Sequence, residues 1–294
     1  MVATNLIDEW LDGVREHVAA ARFDLLPMLE TYIGEARFGR SFIDEDLSRL
    51  SRGAAVLEVG AGSLLLSCQL VREGLAVTAL EPIAGGFSHF NSLQALVLAR
   101  ASEIGCAPVL LRLDGEQLTL HEQFDFAFSI NVMEHVGVVA RVIENVTHSL
   151  RKGATYRFVC PNYHFPYEPH FKIPTLFSKP LTEKFLRHKI FANVGLDDPG
   201  GVWNSLNWIT VSQVRRIVGR IADVSLLFHR DRLTATVNRI VTDPTFSQRQ
   251  PGWLRSVLLI MVRLRIHLMF SAIPAVFQPI MDCAITKAPG SSPR

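Results

Sequence analysis

Glu58 stands two residues before Gly60-Ala61-Gly62 at the end of the apolar run Ala54 to Val59, and Glu81 ends the next apolar run, ahead of Pro82. Glycines at the carboxyl end of a buried parallel strand let the backbone come close to a ligand at the strand-to-helix turn. A carboxylate closing the following strand is within reach of ribose hydroxyls. A dinucleotide site calls for G-x-G-x-x-G before the helix, but Leu65 stands where the third glycine belongs. Glu58 beneath the first glycine suits a ligand with a cationic or amino-acid end better than one with two phosphates.

Acid-base chemistry has two candidate segments. The run Phe124 to Ile130 leads into Asn131-Val132-Met133-Glu134-His135-Val136, and a neutral imidazole such as His135 can take a proton from a hydroxyl. Its alternative role is to anchor the next helix. The second segment, Cys160-Pro161-Asn162-Tyr163-His164-Phe165-Pro166-Tyr167-Glu168-Pro169-His170-Phe171, is dense in aromatic residues and prolines. Following the fifth strand at the ligand-binding edge of such a sheet, it offers Tyr163, Tyr167, Glu168 and His170 as substrate-site residues, with Glu168 and His170 the acid-base pair. The competing reading is an aromatic loop that caps the core. His164 and His170 have no further close ligand in sequence and do not call for a metal.

The elements needed to position these groups are legible as alternating patterns. Strands are predicted at 54–60, 76–81, 108–113, 124–130 and 154–160, with helices at 63–73, 87–104, 138–151 and 210–221. Gly74 and Gly153 fall where left-handed helix caps are expected. This order predicts an α/β fold, a doubly wound and mostly parallel seven-stranded sheet with an antiparallel last strand, N-terminal helices and a substrate-side insertion. The chain has 294 residues, 48% hydrophobic and 20% charged, enough for one large core with additions. A formal charge of +2 is too mild to suggest a nucleic-acid partner. Cys68, Cys106, Cys160 and Cys283 are widely spaced and read as reduced core thiols. The amino terminus lacks a signal-peptide pattern, so a cytoplasmic protein is expected.

With these residues in order, the chain resembles the class I S-adenosylmethionine-dependent methyltransferases. Glu58, Gly60 and Gly62 match their E/D-x-G-x-G-x-G motif, with Leu64 in place of the last glycine. Phe124-Asp125-Phe126-Ala127-Phe128-Ser129 matches F-D-x-[VA]-x-[SC], Glu134-His135-Val136 matches E-H-[VIL], and Leu150-Arg151-Lys152-Gly153-Ala154 matches the turn before the fifth strand. The resemblance covers roughly residues 54–160. It implies S-adenosyl-L-methionine as cofactor: Glu58, Gly60, Ala61 and Gly62 around the methionine part, Glu81 and Pro82 at the ribose, Asp114 and Gly115 at the adenine, and Asn131 beside them. It also implies that His135, Tyr163, Glu168 or His170 handles the acceptor's proton. Ubiquinone-biosynthesis O-methyltransferases gather a divalent cation at a related E-x-x-E-H segment, but Asn131 replaces the first glutamate, and no metal is expected.

Four regions follow: an N-terminal helical lead-in over 1–50, a cofactor-binding core over 51–162, a substrate-site insertion over 163–209 and a C-terminal part of the core over 210–294. Tyr32, Phe38 and Phe42 of the lead-in either form a lid over the cofactor or pack. The insertion, with Pro199-Gly200-Gly201 read as a turn before Trp203, Leu206 and Trp208, has apolar walls suited to a large aromatic or isoprenoid-like acceptor. Residues 253–270 are apolar but carry Arg255, Arg263, Arg265 and His267, which disfavours a bilayer span. They read as a helix lying in a membrane interface at the inner face, or buried against the domain or in a homodimer contact. Asp282 to Lys287 is expected as an antiparallel edge strand beside Val224 to Phe228. The function expected is methyl transfer, at oxygen, to a small or lipid-linked acceptor. The alternatives are an NAD(P)-dependent oxidoreductase or nucleotide-sugar enzyme, and a non-catalytic membrane-associated scaffold.

Overall fold

The computed structural model describes residues 2–82, 88–194, 196, 198–242, 247 and 252–289. Its strands are β1 (Ala55–Val59), β2 (Ala76–Leu80), β3 (Val109–Leu111), β4 (Phe124–Ile130), β5 (Leu150–Pro161), β6 (Tyr167–Glu168), β7 (Ile173–Pro174), β8 (Val224–His229) and β9 (Ile280–Lys287). Seven of them form a sheet in the order β3-β2-β1-β4-β5-β9-β8, mostly parallel with antiparallel last strands, and β6 and β7 form a separate antiparallel pair. The helices are α1 (Val2–Ala21), α2 (Leu26–Phe42), α3 (Asp44–Leu47), α4 (Leu65–Arg72), α5 (Ser88–Glu103), α6 (Val139–Ser149), α7 (Lys179–Phe191), α8 (Pro199–Ser205), α9 (Val211–Val218), α10 (Arg232–Thr242) and α11 (Gly252–Arg263).

One compact unit comprises residues 1–130, 141–156 and 286–294. At its centre β1 pairs in parallel with β2 and β4, and β2 with β3, so the carboxyl ends of these strands share one edge. Val56, Leu57 and Val59 of β1 are buried, as a strand covered on both faces requires. Helix α1 turns Trp10, Leu11, Val14 and Val18 inward, and the Trp10 indole donates to the Leu65 carbonyl at 2.9 Å. Gly39 lets α2 come close: a Cβ there would lie 2.7 Å from Ile130 Cδ1 and 2.8 Å from Leu66 Cδ2. Of the three aromatic residues considered as a lid, Phe42 is buried and stacks with Phe38, and Tyr32 packs on Phe90 of α5.

The second unit comprises residues 131–140 and 157–285. Asp282 of β9 is buried and held by Arg157 at 3.0 Å and Arg232 at 3.3 Å, which ties α10 to that strand. Buried Asn162 donates to the carbonyls of Val276 and Gln278 and accepts from the Val211 amide, fastening the end of β5 to the C-terminal loop.

Several expectations change. β9 lies between β5 and β8, so β8 is the edge strand, and the burial of Met281 to Ile285 against the half-open β8 explains why. Gly153 has φ +82° but belongs to β5, which starts directly after α6, so it caps no helix. Pro199-Gly200-Gly201 is the first turn of α8, where Asp198 accepts from the Gly201 amide at 2.8 Å. The apolar run over 253–270 is not one helix: α11 ends at Arg263, and Arg265 (φ +57°) turns the chain into a 3-10 segment, Ile266–Ala272. Helix α10 has no counterpart among the predicted elements. All four cysteines are buried and unpaired.

Candidate active site

The first unit gathers the residues read as a cofactor cradle. After β1 the chain turns through Gly60 (φ +71°), Gly62 (φ +52°) and Leu64 (φ +67°) into α4. Leu64 therefore adopts the left-handed conformation usual for glycine, at a strain of about 1–2 kcal/mol, and its fully buried side chain offsets it. The amides of Gly60 and Ala61 both donate to the Leu80 carbonyl, at 2.8 and 3.1 Å, binding the loop to the end of β2. Glu81 Oε2 accepts from the Gly62 amide at 2.8 Å, which leaves Oε1 for a ligand hydroxyl. Gln94 of α5, buried, donates to the Gly62 carbonyl at 2.6 Å. Among the described residues nothing lies within 4 Å of a Cβ built on Gly62.

Glu58 is turned under this loop and accepts from the Ser67 hydroxyl on α4. Burial pushes its carboxyl up to about 8, Ser67 opposing and the charge of Glu81 adding. Burial also raises Glu81, against the Gly62 amide and Arg112. Glu81, and Glu58 once ionised, disfavour a pyrophosphate and favour a cation, which is what a sulfonium and an ammonium supply. Pro82, half-buried, follows Glu81. Asp114 is exposed and its charge acts on Glu81. Gly115 is buried where a Cβ would meet Val142 at 3.0 Å, and Asn145 of α6 donates to the carbonyls of Gly115 and Glu116, at 3.2 and 2.9 Å. The donor set thus fits S-adenosylmethionine: carboxylates for the amino-acid end and the ribose, an open glycine loop, and an acidic turn for an adenine amine.

The second unit gathers His135, Tyr163, Glu168 and His170, the four residues read as catalytic. Asn207 positions the first: its side-chain amide donates to the carbonyls of Met133 and Val136, and its backbone N–H to that of Glu134, all at 2.8 Å. His135 Nδ1 lies 2.7 Å from Ser205 Oγ. Because that hydroxyl gives its own proton to the Val202 carbonyl, Nδ1 must be the donor, and Nε2 carries the lone pair. Burial, with the nearby His170, lowers His135 to about 4.

Glu168 is fully buried and satisfied. It accepts from the Tyr163 hydroxyl at 3.2 Å, from His170 Nδ1 at 2.6 Å and from the Phe171 amide at 2.6 Å. Burial alone would lower His170, but the Glu168 hydrogen bond and charge raise it. Glu168 itself is lowered by the same bond and the Phe171 amide, against burial. Burial and Glu168 keep the Tyr163 phenol protonated, so its chemistry is donation. Tyr163 stacks on Trp208 at 5.3 Å, and Trp203 meets Phe171 and Trp208 edge to face.

The His135 and His170 rings lie 5.2 Å apart, and the Glu134 carboxylate joins them in one cluster. Glu134 is wholly buried and neither carboxylate oxygen has a hydrogen-bond partner among the described residues. Burial pushes it up to about 7, against its own backbone amide and His170. His135 Nε2 is 4.0 Å from Glu134 Oε1. Asn131, grouped in sequence with the cofactor, belongs to this second unit, where its exposed side chain follows a left-handed backbone (φ +54°) and its amide donates to the Val159 carbonyl at 2.8 Å. His164 and Tyr167 are exposed, His164 against Phe277. Ser67, Gln94, Asn145, Ser205 and Asn207 were not found by sequence; each is a lone polar residue on a helix or loop with no motif around it.

Comparison with known proteins adds three findings. Residues 57–158 match the family described as "Methyltransferase domain". A protein of Mycobacterium tuberculosis, itself uncharacterised, is 46% identical over 281 residues, 96% of this chain and 95% of the relative, and the ubiquinone biosynthesis O-methyltransferase of Paramagnetospirillum magneticum is 37% identical over 122 residues, 41% of this chain and 45% of that enzyme. Among solved structures, a putative sarcosine dimethylglycine methyltransferase from Galdieria sulphuraria shares the fold with a TM-score of 0.50 at 14% identity, over 87% of this chain and 88% of that one.

Proposed function

The chain belongs to the class I S-adenosylmethionine-dependent methyltransferases, and from that premise we propose that it methylates a hydroxyl oxygen on a small or lipid-linked acceptor. The observation that carries the choice of oxygen is the cluster of Glu134, His135 and His170. Neither Glu134 oxygen has a hydrogen-bond partner among the described residues and each imidazole spends its Nδ1–H elsewhere, which suits an acceptor that arrives with an O–H to give. In the transfer the acceptor oxygen bonds to the methyl carbon as the carbon–sulfur bond breaks, its pair passing to sulfur, and the hydroxyl proton goes to the cluster. Of the two imidazoles, His170, raised by Glu168 behind it, is the better proton acceptor, and His135, lowered to about 4, the weaker one. Positioning of nucleophile and methyl supplies the rest of the acceleration. The similarity of 122 residues to an enzyme named for ubiquinone biosynthesis supports an aromatic hydroxyl.

The lipid-linked part of the reading rests on the C-terminal insertion. Trp253 (71% exposed), Ile260, Leu264, Met269 and Phe277 all face solvent beside Arg255, Arg263 and Arg265. Apolar side chains among arginines fit an anionic membrane surface, with the protein on its cytoplasmic side. No helix among the described residues is long and apolar enough to cross a membrane.

Calorimetric titration with S-adenosylmethionine, S-adenosylhomocysteine and NAD tests the cofactor; both sulfur compounds should bind and NAD should not. Release of S-adenosylhomocysteine is then followed with a catechol, a prenylated hydroquinol and an aminophenol blocked at oxygen. Turnover on the blocked amine but on neither hydroxyl compound would overturn the assignment to oxygen. Vesicles containing phosphatidylglycerol should retain the protein, and Ile260→Asp with Leu264→Asp should release it.

A further inference from the structure

The arrangement around Glu134 has an electrostatic imbalance that hydrogen bonding within the protein does not resolve. Both oxygens of its carboxylate are fully buried without a partner among the described residues, although a buried carboxylate ordinarily gathers donors. The two imidazoles beside it cannot help in their neutral form, because each spends its N–H elsewhere: His135 Nδ1 on Ser205 and His170 Nδ1 on Glu168. Their Nε2 atoms are thus left with lone pairs. One ligating atom from each of Glu134, His135 and His170 lies within 4.8 Å of the others. Three ligating atoms that converge without a hydrogen-bond donor placed among them form a set that a cation completes.

We propose that Glu134, His135 and His170 bind one transition-metal dication of the zinc class, through the carboxylate and the two Nε2 atoms, with a coordination position left open for the acceptor's oxygen. Two imidazoles and one carboxylate are the borderline ligands that zinc takes in open sites, whereas magnesium and calcium prefer oxygen throughout. Ligand bonds of about 2.0–2.2 Å require the three atoms to close by roughly an ångström, within the range of side-chain rotation. The outer contacts have the form that fixes a metal-bound histidine: the Glu168 carboxylate behind His170, and the Ser205 hydroxyl behind His135. Asn207 holds the backbone that carries both Glu134 and His135. The metal's part in catalysis rests on the methyltransferase reading. Bound to the metal, the acceptor hydroxyl would ionise more readily and lose its proton to water, in place of direct transfer to His170.

The test uses the full chain, stripped with a chelator and titrated with zinc chloride in the absence of S-adenosylmethionine. One tight equivalent per chain is expected, not displaced by millimolar magnesium, and cobalt should give the visible spectrum of a nitrogen- and oxygen-ligated ion. Glu168→Gln should weaken zinc binding about 10- to 100-fold, and His135→Ala with His170→Ala should abolish the tight equivalent while S-adenosylmethionine still binds, which certifies the fold. No tight equivalent on the unaltered chain, or one retained by the double variant, overturns the site. Preference for magnesium overturns the zinc-class assignment. Failure of the methyltransferase reading is separate: zinc would bind and S-adenosylmethionine would not.

Discussion

The loop at Gly62 and the segment at Glu134 both bury carboxylates, and they treat them in opposite ways. In the loop, Glu58 has the Ser67 hydroxyl and Glu81 the Gly62 amide, so the charges are shaped and partly answered before any ligand arrives. At Glu134 neither oxygen has a hydrogen-bond partner among the described residues, and the neighbouring imidazoles add lone pairs. The first is a cradle whose geometry is fixed by its own hydrogen bonds; the second depends on what binds. Rigid positioning is what a common cofactor requires, and an unbalanced set of electron pairs is what a protic or metal-bound acceptor requires.

Removing the answer in the cradle should give the largest effect. Glu81→Ala deletes the acceptor for Gly62 and the carboxylate expected to meet the ribose, and a hydrogen bond to a charged group is worth about 1.5–3 kcal/mol. Affinity for S-adenosylmethionine should fall about 10- to 100-fold with the circular dichroism spectrum unchanged; unchanged affinity would remove Glu81 from the cofactor site. Leu64→Gly acts on stability instead. It relieves about 1–2 kcal/mol of left-handed strain but deletes a buried leucine, a loss of about 2–5 kcal/mol. The melting midpoint should therefore drop, by the equivalent of about 1–3 kcal/mol, while the cofactor still binds. A stabilised variant would mean that the side chain packs poorly and that the position is better served by glycine.

Asn207→Ala sharpens the contrast from the other side. It leaves the carbonyls of Met133 and Val136 without their donor and frees the backbone under Glu134 and His135. Methyl transfer should fall about 5- to 150-fold, the scale of about 1–3 kcal/mol for unpaired buried groups, with binding of S-adenosylmethionine unaffected. Equal losses in both would show that the two regions are not chemically independent.

The cradle was legible because its parts are close in sequence or fall at strand ends. Glu58, Gly60, Gly62 and Glu81 follow from the turn after β1 and the end of β2, and the predicted strand positions there are within a residue of Ala55–Val59 and Ala76–Leu80. The second cluster joins Glu134 and His135 to His170, Ser205 and Asn207, which share no periodicity. Asn131 removes a carboxylate from the segment that runs to His135, and the approach of His170 to that segment leaves no mark in local spacing. Gly153 misled for a different reason: a glycine after a helical pattern looks the same whether the chain stops or continues directly into a strand. At the C-terminal insertion the apolar composition was plain, but the break at Arg265 depends on a left-handed residue that composition does not announce.

The smallest expected effect is a slope in pH, and it tests whether the cradle's charges wait for a cation. Glu58 is raised from 4.5 to about 8 by burial, so the folded chain holds its proton where the unfolded chain has released it. Stability from this group is full below the unfolded value and is lost as pH rises towards the folded one. The melting midpoint should accordingly decline between roughly pH 5 and pH 8, with Glu134, raised to about 7, contributing in the lower part of that window. Glu58→Gln keeps an acceptor for Ser67 but has no proton to lose, so its decline should be shallower than that of the unaltered chain. Saturating S-adenosylmethionine should flatten the unaltered chain in the same way, because an ammonium or sulfonium near Glu58 favours the ionised carboxylate. If the variant and the unaltered chain follow the same slope, Glu58 is not the titrating group. If the variant flattens and the cofactor does not, the carboxylate is a buried structural acid and the methionine end of the ligand is held by other groups.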